Sequence, residues 1–289
     1  MYKIFNSVSV LSLFMLGACT FGNTISIGVS KNPNTPKQLQ FNHFIGHVEY
    51  VPSNSGKIEV EIQPGAKLQP NIIREGENII IEGNSSAMRN YFCSNINGVR
   101  TYKIDNTTYT ESDLPRLKIA LPTNKSLGIW TSSINGMLGD FKSADIRENS
   151  CGSLKIGNVT NDVNIDLGSN DIVIGNIGGK LDINIDGSGD VKTGSVNGET
   201  KINIDGSGSV SIAKQIAKIN AEISGSGDIY VADGGGDVDL NLGGSGSFKH
   251  LGYVSNPKIH IVGSGDVTVH EIRGSAEIST NGSGKFFVK

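Results

Sequence analysis

The sequence predicts an all-β fold, a parallel β-solenoid with rungs of 19 residues, and three observations predict it. A Gly-Ser-Gly element or close variant begins at Gly168, Gly187, Gly206, Gly225, Gly244, Gly263 and Gly282, always 19 residues apart. Apolar and polar residues alternate on both sides of each turn, the period-2 mark of half-buried strands. Glycine supplies 38 of 289 residues and proline only 8, so turns are frequent and collagen is excluded. Seven copies in one register are an architectural repeat, because loop composition alone does not keep a fixed spacing.

Each element of the rung has its own cause. Before the turn run Leu181, Ile183 and Ile185, then Thr200, Ile202 and Ile204, then Ile219, Ala221 and Ile223, then Val238, Leu240 and Leu242. After it run Val191 and Thr193, Val210 and Ile212, Ile229 and Val231, Phe248 and His250, Val267 and Val269, Phe286 and Val288. Stacked in register, these columns form continuous apolar ladders. A 19-residue rung has ~60 Å of path, and stacked strands lie ~4.8 Å apart, so each repeat closes one turn on the last. No single rung buries its own apolar face, hence several must stack. Glycine lets the chain turn a corner without a clashing Cβ. Asp186, Asp205, Ser224, Asp190, Ser209, Asp228 and Asp266 flank the turns and can hydrogen-bond their backbone. The first copy, Gly168-Ser169-Asn170, is degenerate and its preceding strand is one residue short.

The same alternation turns two columns outward. Asp182, Lys201, Asn220, Asp239, Lys258 and Glu277 largely alternate in charge, which avoids like-charge stacking on a wet face. Asn184, Asn203, Glu222, Asn241, His260 and Ser279 are mixed polar.

The N-terminal half reads as the same structure written less regularly. Strands are expected at His47 to Val51, Lys57 to Ile62, Asn78 to Glu82 and Leu117 to Pro122. Residues 84–114 are polar, carry Tyr91, Tyr102 and Tyr109, and read as an excursion from the solenoid. One domain over 41–289 is expected, with irregular rungs over 41–150 and the regular array over 151–289. Residues 19–40, with Pro33 and Pro36, read as an anchor and tether.

The first 18 residues read as a signal peptide: Lys3 is followed by an apolar run from Val8 to Met15, too short to span a bilayer. The run ends in Leu16-Gly17-Ala18-Cys19, which resembles the bacterial lipobox, so Cys19 is the expected lipidation site and the membrane the expected partner. Thr20 follows where an Asp would favour inner-membrane retention, which leads to an outer-membrane expectation within the bacterial cell envelope. Export to an oxidising compartment leaves Cys93 and Cys151 as the candidate disulfide, the alternative being two reduced, buried cysteines.

The strand pair Lys57 to Ile62 and Glu77 to Gly83, the LKIALP segment Leu117 to Pro122, Leu127-Gly128-Ile129 and the Gly-Ser-Gly-Asp turns together resemble the putative auto-transporter adhesin, head GIN domain family. The most specific of these are the turns Gly187 to Asp190, Gly225 to Asp228 and Gly263 to Asp266. The resemblance covers about residues 41–289. It implies a right-handed parallel β-helix on an exported, often lipidated bacterial protein, and it carries no catalytic residues. The Tyr91 to Tyr109 insertion departs from the family's pattern.

Other chemistry is sparse. Twenty-five Lys and Arg against 28 Asp and Glu give a net charge of -3, without the basic excess of a nucleic-acid binder. Phosphate-cradling glycine loops need a following helix, whereas here a strand follows every turn. Calcium-loaded solenoids use Gly-Gly-x-Gly-x-Asp nonapeptides, a different period. The turn serines Ser169 through Ser283 have no histidine column beside them to act as base. His43 and His47 would fall on one face of a strand with no third ligand evident. His250 falls in an inward column, which predicts a local bulge or a hydrogen-bonded core histidine. Trp130 is expected to pack. Tyr230 and Phe287 share an outward column with Lys192 and Lys249, a thin basis for a carbohydrate platform.

No cofactor, metal or catalytic residue is therefore assigned. The expected function is a non-enzymatic, adhesin-like or structural envelope lipoprotein presenting a rigid face to a glycan or an envelope protein. The alternative is a polysaccharide-active β-helix enzyme, which would require two carboxylates at hydrolase spacing. The sequence leaves the oligomeric state open.

Overall fold

The computed structural model describes residues 38–53, 55–63, 66–83, 91–96, 99–104, 106–148 and 152–289. The expected signal peptide, Cys19, the tether up to residue 37, and Cys151 lie outside the described residues. In chain order the strands are β1 (Gln38–Asn42), β2 (Ile45–Pro52), β3 (Glu59–Gln63), β4 (Asn71–Glu75), β5 (Asn78–Glu82), β6 (Tyr91–Ile96), β7 (Val99–Ile104), β8 (Thr107–Thr110) and β9 (Arg116–Leu121). The solenoid continues with β10 (Ser126–Trp130) and β11 (Ser133–Leu138), β12 (Ser143–Glu148) and β13 (Ser153–Ile156), β14 (Val163–Leu167) and β15 (Asp171–Ile174), β16 (Leu181–Ile185) and β17 (Asp190–Val196). It ends with β18 (Thr200–Gly206) and β19 (Ser209–Gln215), β20 (Ile219–Gly225) and β21 (Asp228–Val231), β22 (Val238–Gly244) and β23 (Ser247–Val254), β24 (Lys258–Gly263) and β25 (Asp266–Ile272), β26 (Glu277–Gly282) and β27 (Phe286–Val288).

The fold is a β-solenoid with two walls of twelve strands each. One wall runs β26-β24-β22-β20-β18-β16-β14-β12-β10-β1-β5-β4, and the other runs β27-β25-β23-β21-β19-β17-β15-β13-β11-β2-β9-β3. The walls face each other, but the chain crosses from one to the other in every rung and, apart from the outermost strands β3 and β4, neighbouring strands are parallel, unlike an antiparallel sandwich. The 19-residue register holds: Leu181 pairs with Thr200, Thr200 with Ile219 and Ile219 with Val238. The shorter first copy also appears as expected, with Leu167 pairing Ile185, only 18 residues on. The inward columns form one continuous core, in which Ile183, Ile204, Ile223, Leu240, Val231 and Val267 are fully buried.

The turn is where rungs lock. Ser226 N–H donates to Gly206 O at 2.8 Å, Ser245 to Gly225 at 2.8 Å and Ser264 to Gly244 at 2.8 Å, so each turn hydrogen-bonds the one before it. Gly225 has φ +149°, and a Cβ placed there would lie 2.4 Å from Gly206 O. The flanking acids extend this ladder. Asp190 Oδ1 accepts from Ser209 N–H at 3.1 Å and from its hydroxyl at 2.6 Å, and Asp228 does the same for Ser247 at 2.9 and 2.6 Å. At the opposite corner a further ladder stacks Phe141 on Val159, Ile177 and Val196, followed by Gln215. Gln215 is fully buried, accepts from Thr200 Oγ1 at 2.8 Å and donates to Gly198 O at 2.9 Å.

The N-terminal half departs from a simple series of rungs. β1 and β2 do not form the end of the solenoid, because β5 and β9 stack outside them. β4 and β3 then cover β5 and β9 as antiparallel strands, and the chain passes back to stack β10 and β11 on the other side of β1 and β2. An open solenoid end exposes both core and unpaired backbone. Here the antiparallel pair buries Ile58 and Ile72 and leaves Glu59, Glu61 and Arg74 exposed. Between β5 and β9 the chain leaves the solenoid, and β6, β7 and β8 form a separate three-stranded antiparallel sheet within the expected excursion.

His250 behaves as its column predicts. It is 1% exposed between Val231 and Val269, and the register shifts between His250 and Tyr253. The stacked turn itself yields a sharp expectation. Gly225→Ala places a Cβ against the preceding carbonyl at an unfavourable φ and should cost about 2 kcal/mol or more. Ser226→Ala, at an exposed side chain of the same turn, should stay within about 0.5 kcal/mol. Urea denaturation of both variants measures the contrast.

Candidate functional site

Chemistry-bearing side chains gather where the excursion meets the solenoid. β7 and the 3₁₀ turn Glu111–Asp113 bring Tyr102 and Glu111 over β2 and β11. The Tyr102 hydroxyl donates to Glu111 Oε1 at 2.7 Å and accepts from Asn135 Nδ2 at 3.3 Å. Arg100 donates to Asn135 Oδ1 at 2.8 Å, and the same oxygen accepts from Ser153 N–H at 3.2 Å. His47 Nε2 lies 2.6 Å from Glu111 Oε2, off the line of a good N–H bond. Burial pushes the Tyr102 phenol up to about 12, helped by the Glu111 carboxylate. Burial also holds His47 below its ordinary value, and Arg116 and Arg100 act in the same direction against Glu111. The imidazole is therefore neutral at pH 7. A histidine beside a carboxylate and a phenol is the material of acid–base chemistry, but here Tyr102 is fully buried with its hydroxyl committed to Glu111 and Asn135. The set works as a staple that ties the excursion to two rungs.

A second tie runs to the capping strands. Lys67 Nζ lies 2.8 Å from Asp113 Oδ1, and Asp113 Oδ2 accepts from Thr110 N–H at 2.9 Å. The bond to Lys67 comes first in holding the Asp113 carboxyl below the usual range. Cys93 on β6 is disulfide-bonded. Between these ties lies a cavity of about 320 Å³ walled by Phe44, Leu68, Tyr109 and Pro115, with His43 and Lys67 among its polar groups. That volume is at the lower end for small-molecule sites.

The expected common face of His43 and His47 does not exist. His43 sits in the corner between β1 and β2 at φ +51° and its Nδ1 lies 3.2 Å from Glu82 Oε1, whereas His47 on β2 faces Glu111. A corner residue does not follow strand alternation, so the two histidines diverge. Among the described residues no cluster of three or more His, Cys, Asp or Glu is arranged to hold a metal.

The regular array presents its ladders as the alternation predicts. Asp182, Lys201, Asn220, Asp239, Lys258 and Glu277 stand in register, as do Asn184, Asn203, Glu222, Asn241, His260 and Ser279. On the other wall Tyr230 is 37% exposed with Lys249 Nζ 5.9 Å from its ring centre, and Phe287 is 38% exposed two rungs beyond Lys249. Val173, Lys192 and Ser211 precede Tyr230 in this column. The turn serines Ser169 through Ser283 are exposed, and the Trp130 ring lies over Gly128.

Sequence reasoning missed a groove of about 470 Å³ at the corner after His250. There Arg273 stacks 4.0 Å from the Tyr253 ring centre and makes a two-pronged bond to Glu271 at 2.8 and 2.9 Å, with Ile216 and Leu251 exposed alongside. The register shift takes Leu251 and Tyr253 out of the repeat. The one available signal was the departure of the segment after Phe248 and His250 from the 19-residue pattern.

Burial holds His250, like His47, below its ordinary value, with Gly252 and Asp233 opposing. Below about pH 6.5 the unfolded chain takes up protons that the folded protein refuses, so stability falls as pH drops from 7 to 5. Each histidine contributes at most about 1.4 kcal/mol per pH unit. Thermal melts at pH 7 and pH 5 should show this loss, and His250→Val should reduce its size.

Residues 148–289 match the family described as Putative auto-transporter adhesin, head GIN domain. The match is narrower than the span 41–289 expected from the sequence and leaves out the excursion. Among solved structures, a putative adhesin from Parabacteroides distasonis ATCC 8503 is 17% identical, with 88% of this chain and 93% of that chain covered at a TM-score of 0.49. A putative adhesin from Bacteroides fragilis NCTC 9343 is 15% identical, with 89% and 94% covered at a TM-score of 0.41. No curated protein matches the chain. Residues 148–289, with their stacked glycine turns, belong to the family Putative auto-transporter adhesin, head GIN domain.

Proposed function

We propose that the protein is an exported, lipid-anchored, adhesin-like module that binds its partner without transforming it. The observation that carries this reading is the set of in-register outward ladders on the array that matches the adhesin family. Each ladder repeats a polar or charged side chain every ~4.8 Å on a rigid frame. Such a surface offers many weak, regularly spaced contacts to an extended partner, a glycan or another envelope protein, and simultaneous contacts multiply in strength.

The anchor reading rests on Leu16-Gly17-Ala18-Cys19 and on the apolar run before it. An acylated Cys19 would hold the chain to the outer membrane through the segment leading to β1. No helix among the described residues is long and apolar enough to cross a membrane. Cys151 is the proposed partner of Cys93, which would clamp the excursion to the start of the regular array.

Two measurements test the reading. Cys19→Ser should move the protein from the membrane fraction to the soluble fraction on cell lysis, and retention in the membrane would contradict the anchor. Incubation with a panel of bacterial and host glycans should give retention without products. Release of oligosaccharides would replace the adhesin reading with that of a polysaccharide-active enzyme.

A further inference from the structure

Two exposed aliphatic side chains, Ile216 at 53% and Leu251 at 38%, line the groove of about 470 Å³ on the flank of the regular array. The repeat does not dictate either of them. The positions 19 residues before and after Ile216 hold Asn197 and Gly235, and the positions 19 and 38 residues before Leu251 hold Ala232 and Ala213. The Tyr253 ring lies over Gly235, where a Cβ would come within 2.1 Å of its Cζ, and Arg273 covers the ring at 4.0 Å from its centre. Lys214 and Asp233 form a polar rim, with Nζ 3.3 Å from Oδ2. These residues lie on or directly after β19, β21 and β23, each of which has a strand stacked on both sides, so the groove opens sideways across the rungs.

The surroundings narrow the ligand. Each Lys and Arg lining the groove has an acid beside it, Lys214 with Asp233 and Arg273 with Glu271 at 2.8 and 2.9 Å, so a charged ligand would have to break an ion pair to be held. The corner backbone is committed as well. Ile216 N–H donates to Val196 O, Gly235 N–H to Gln215 O and Tyr253 N–H to Gly234 O, all between 2.8 and 3.1 Å. An extended peptide therefore finds no strand edge to join there. A wholly apolar ligand would strip water from these charged groups without replacing its hydrogen bonds, which is costly. What fits is a neutral molecule with one apolar face and a rim of groups that both donate and accept.

We propose that this groove is a subsite for one neutral sugar unit of a glycan. The C–H face of a pyranose packs on Ile216 and Leu251, while its hydroxyls accept from Lys214 and donate to Asp233, both of which keep hydrogen-bonding capacity beyond their ion pair. The volume lies within the range of small-ligand sites, and the mixture of apolar lining and a few polar groups is the usual composition of such sites. The proposal rests on the adhesin-like reading above and adds to it a place and a ligand class. One open groove holds one sugar weakly, with a dissociation constant on the order of 1 mM, and many anchored copies meeting one glycan raise the strength of attachment.

Saturation-transfer NMR on the full chain carrying Cys19→Ser tests the site, with glucose, galactose, mannose, fucose and N-acetylglucosamine each at about 10 mM and glucuronic acid as the charged control. At least one of the neutral sugars is expected to bind. Leu251→Asp and Lys214→Ala should each weaken it about fivefold or more. Their melting temperatures should not change, because both side chains are exposed. Tyr230→Ala, on the outward face of β21, should leave the sugar's binding as it was. Silence from all the neutral sugars, glucuronic acid binding tighter than any of them, or binding indifferent to both groove substitutions would overturn the proposal. Any of these with retention on the glycan panel intact would overturn the groove alone, whereas loss of that retention as well would overturn the reading beneath it.

Discussion

The structure depends on one constraint: consecutive turns must stack close enough for each backbone to hydrogen-bond the one before it. Ser226 reaches Gly206 O at 2.8 Å, and that approach leaves a Cβ at Gly225 only 2.4 Å from the same oxygen. Glycine is therefore required by the neighbouring turn as well as by local conformation. Once the turns are in register, the strands on both sides follow, and the inward Ile, Val and Leu columns close into one core. Asp190 and Asp228 extend the constraint by accepting from Ser209 and Ser247 one rung later, so a polar residue beside a turn also links neighbouring rungs.

Much of this was legible because a solenoid repeats its interactions in sequence. The spacing from Gly168 to Gly282 reports a contact between residues 19 apart, and alternation reports which side chains face the core. Even His250, a polar residue in an apolar column, marked the place where the register shifts. The N-terminal half was less legible for the opposite reason. β3 with β9 and β4 with β5 are antiparallel pairings at unequal separations, and β9 joins β2 only after the chain has left the solenoid and returned. Nothing in the local pattern of Lys57 to Ile62 distinguishes a capping strand from a rung.

The seam between excursion and solenoid was hidden for a related reason. His47, Arg100, Tyr102, Glu111 and Asn135 are spread along the chain and meet only through tertiary packing. The tyrosines share one segment of the sequence, yet Tyr102 is buried against Glu111 while Tyr109 borders the cavity. His43 and His47 were placed on one face by a period that does not hold through the corner at His43. The functional picture follows the same division. The repetitive half supplies an extended surface of regularly spaced side chains, while the irregular half closes one end and holds the excursion against it.

The central claim is that each rung draws its stability from register with its neighbours rather than from its own residues. Removing one entire rung, residues 207–225, tests this most directly, because Gly206 would then be followed by Ser226 and every later residue would keep its place in the ladder. The account predicts a folded protein with a β-rich circular dichroism spectrum and a cooperative melt, while removal of ten residues from the same rung disrupts the array. Equal tolerance of both deletions, or unfolding by the 19-residue deletion alone, would contradict it.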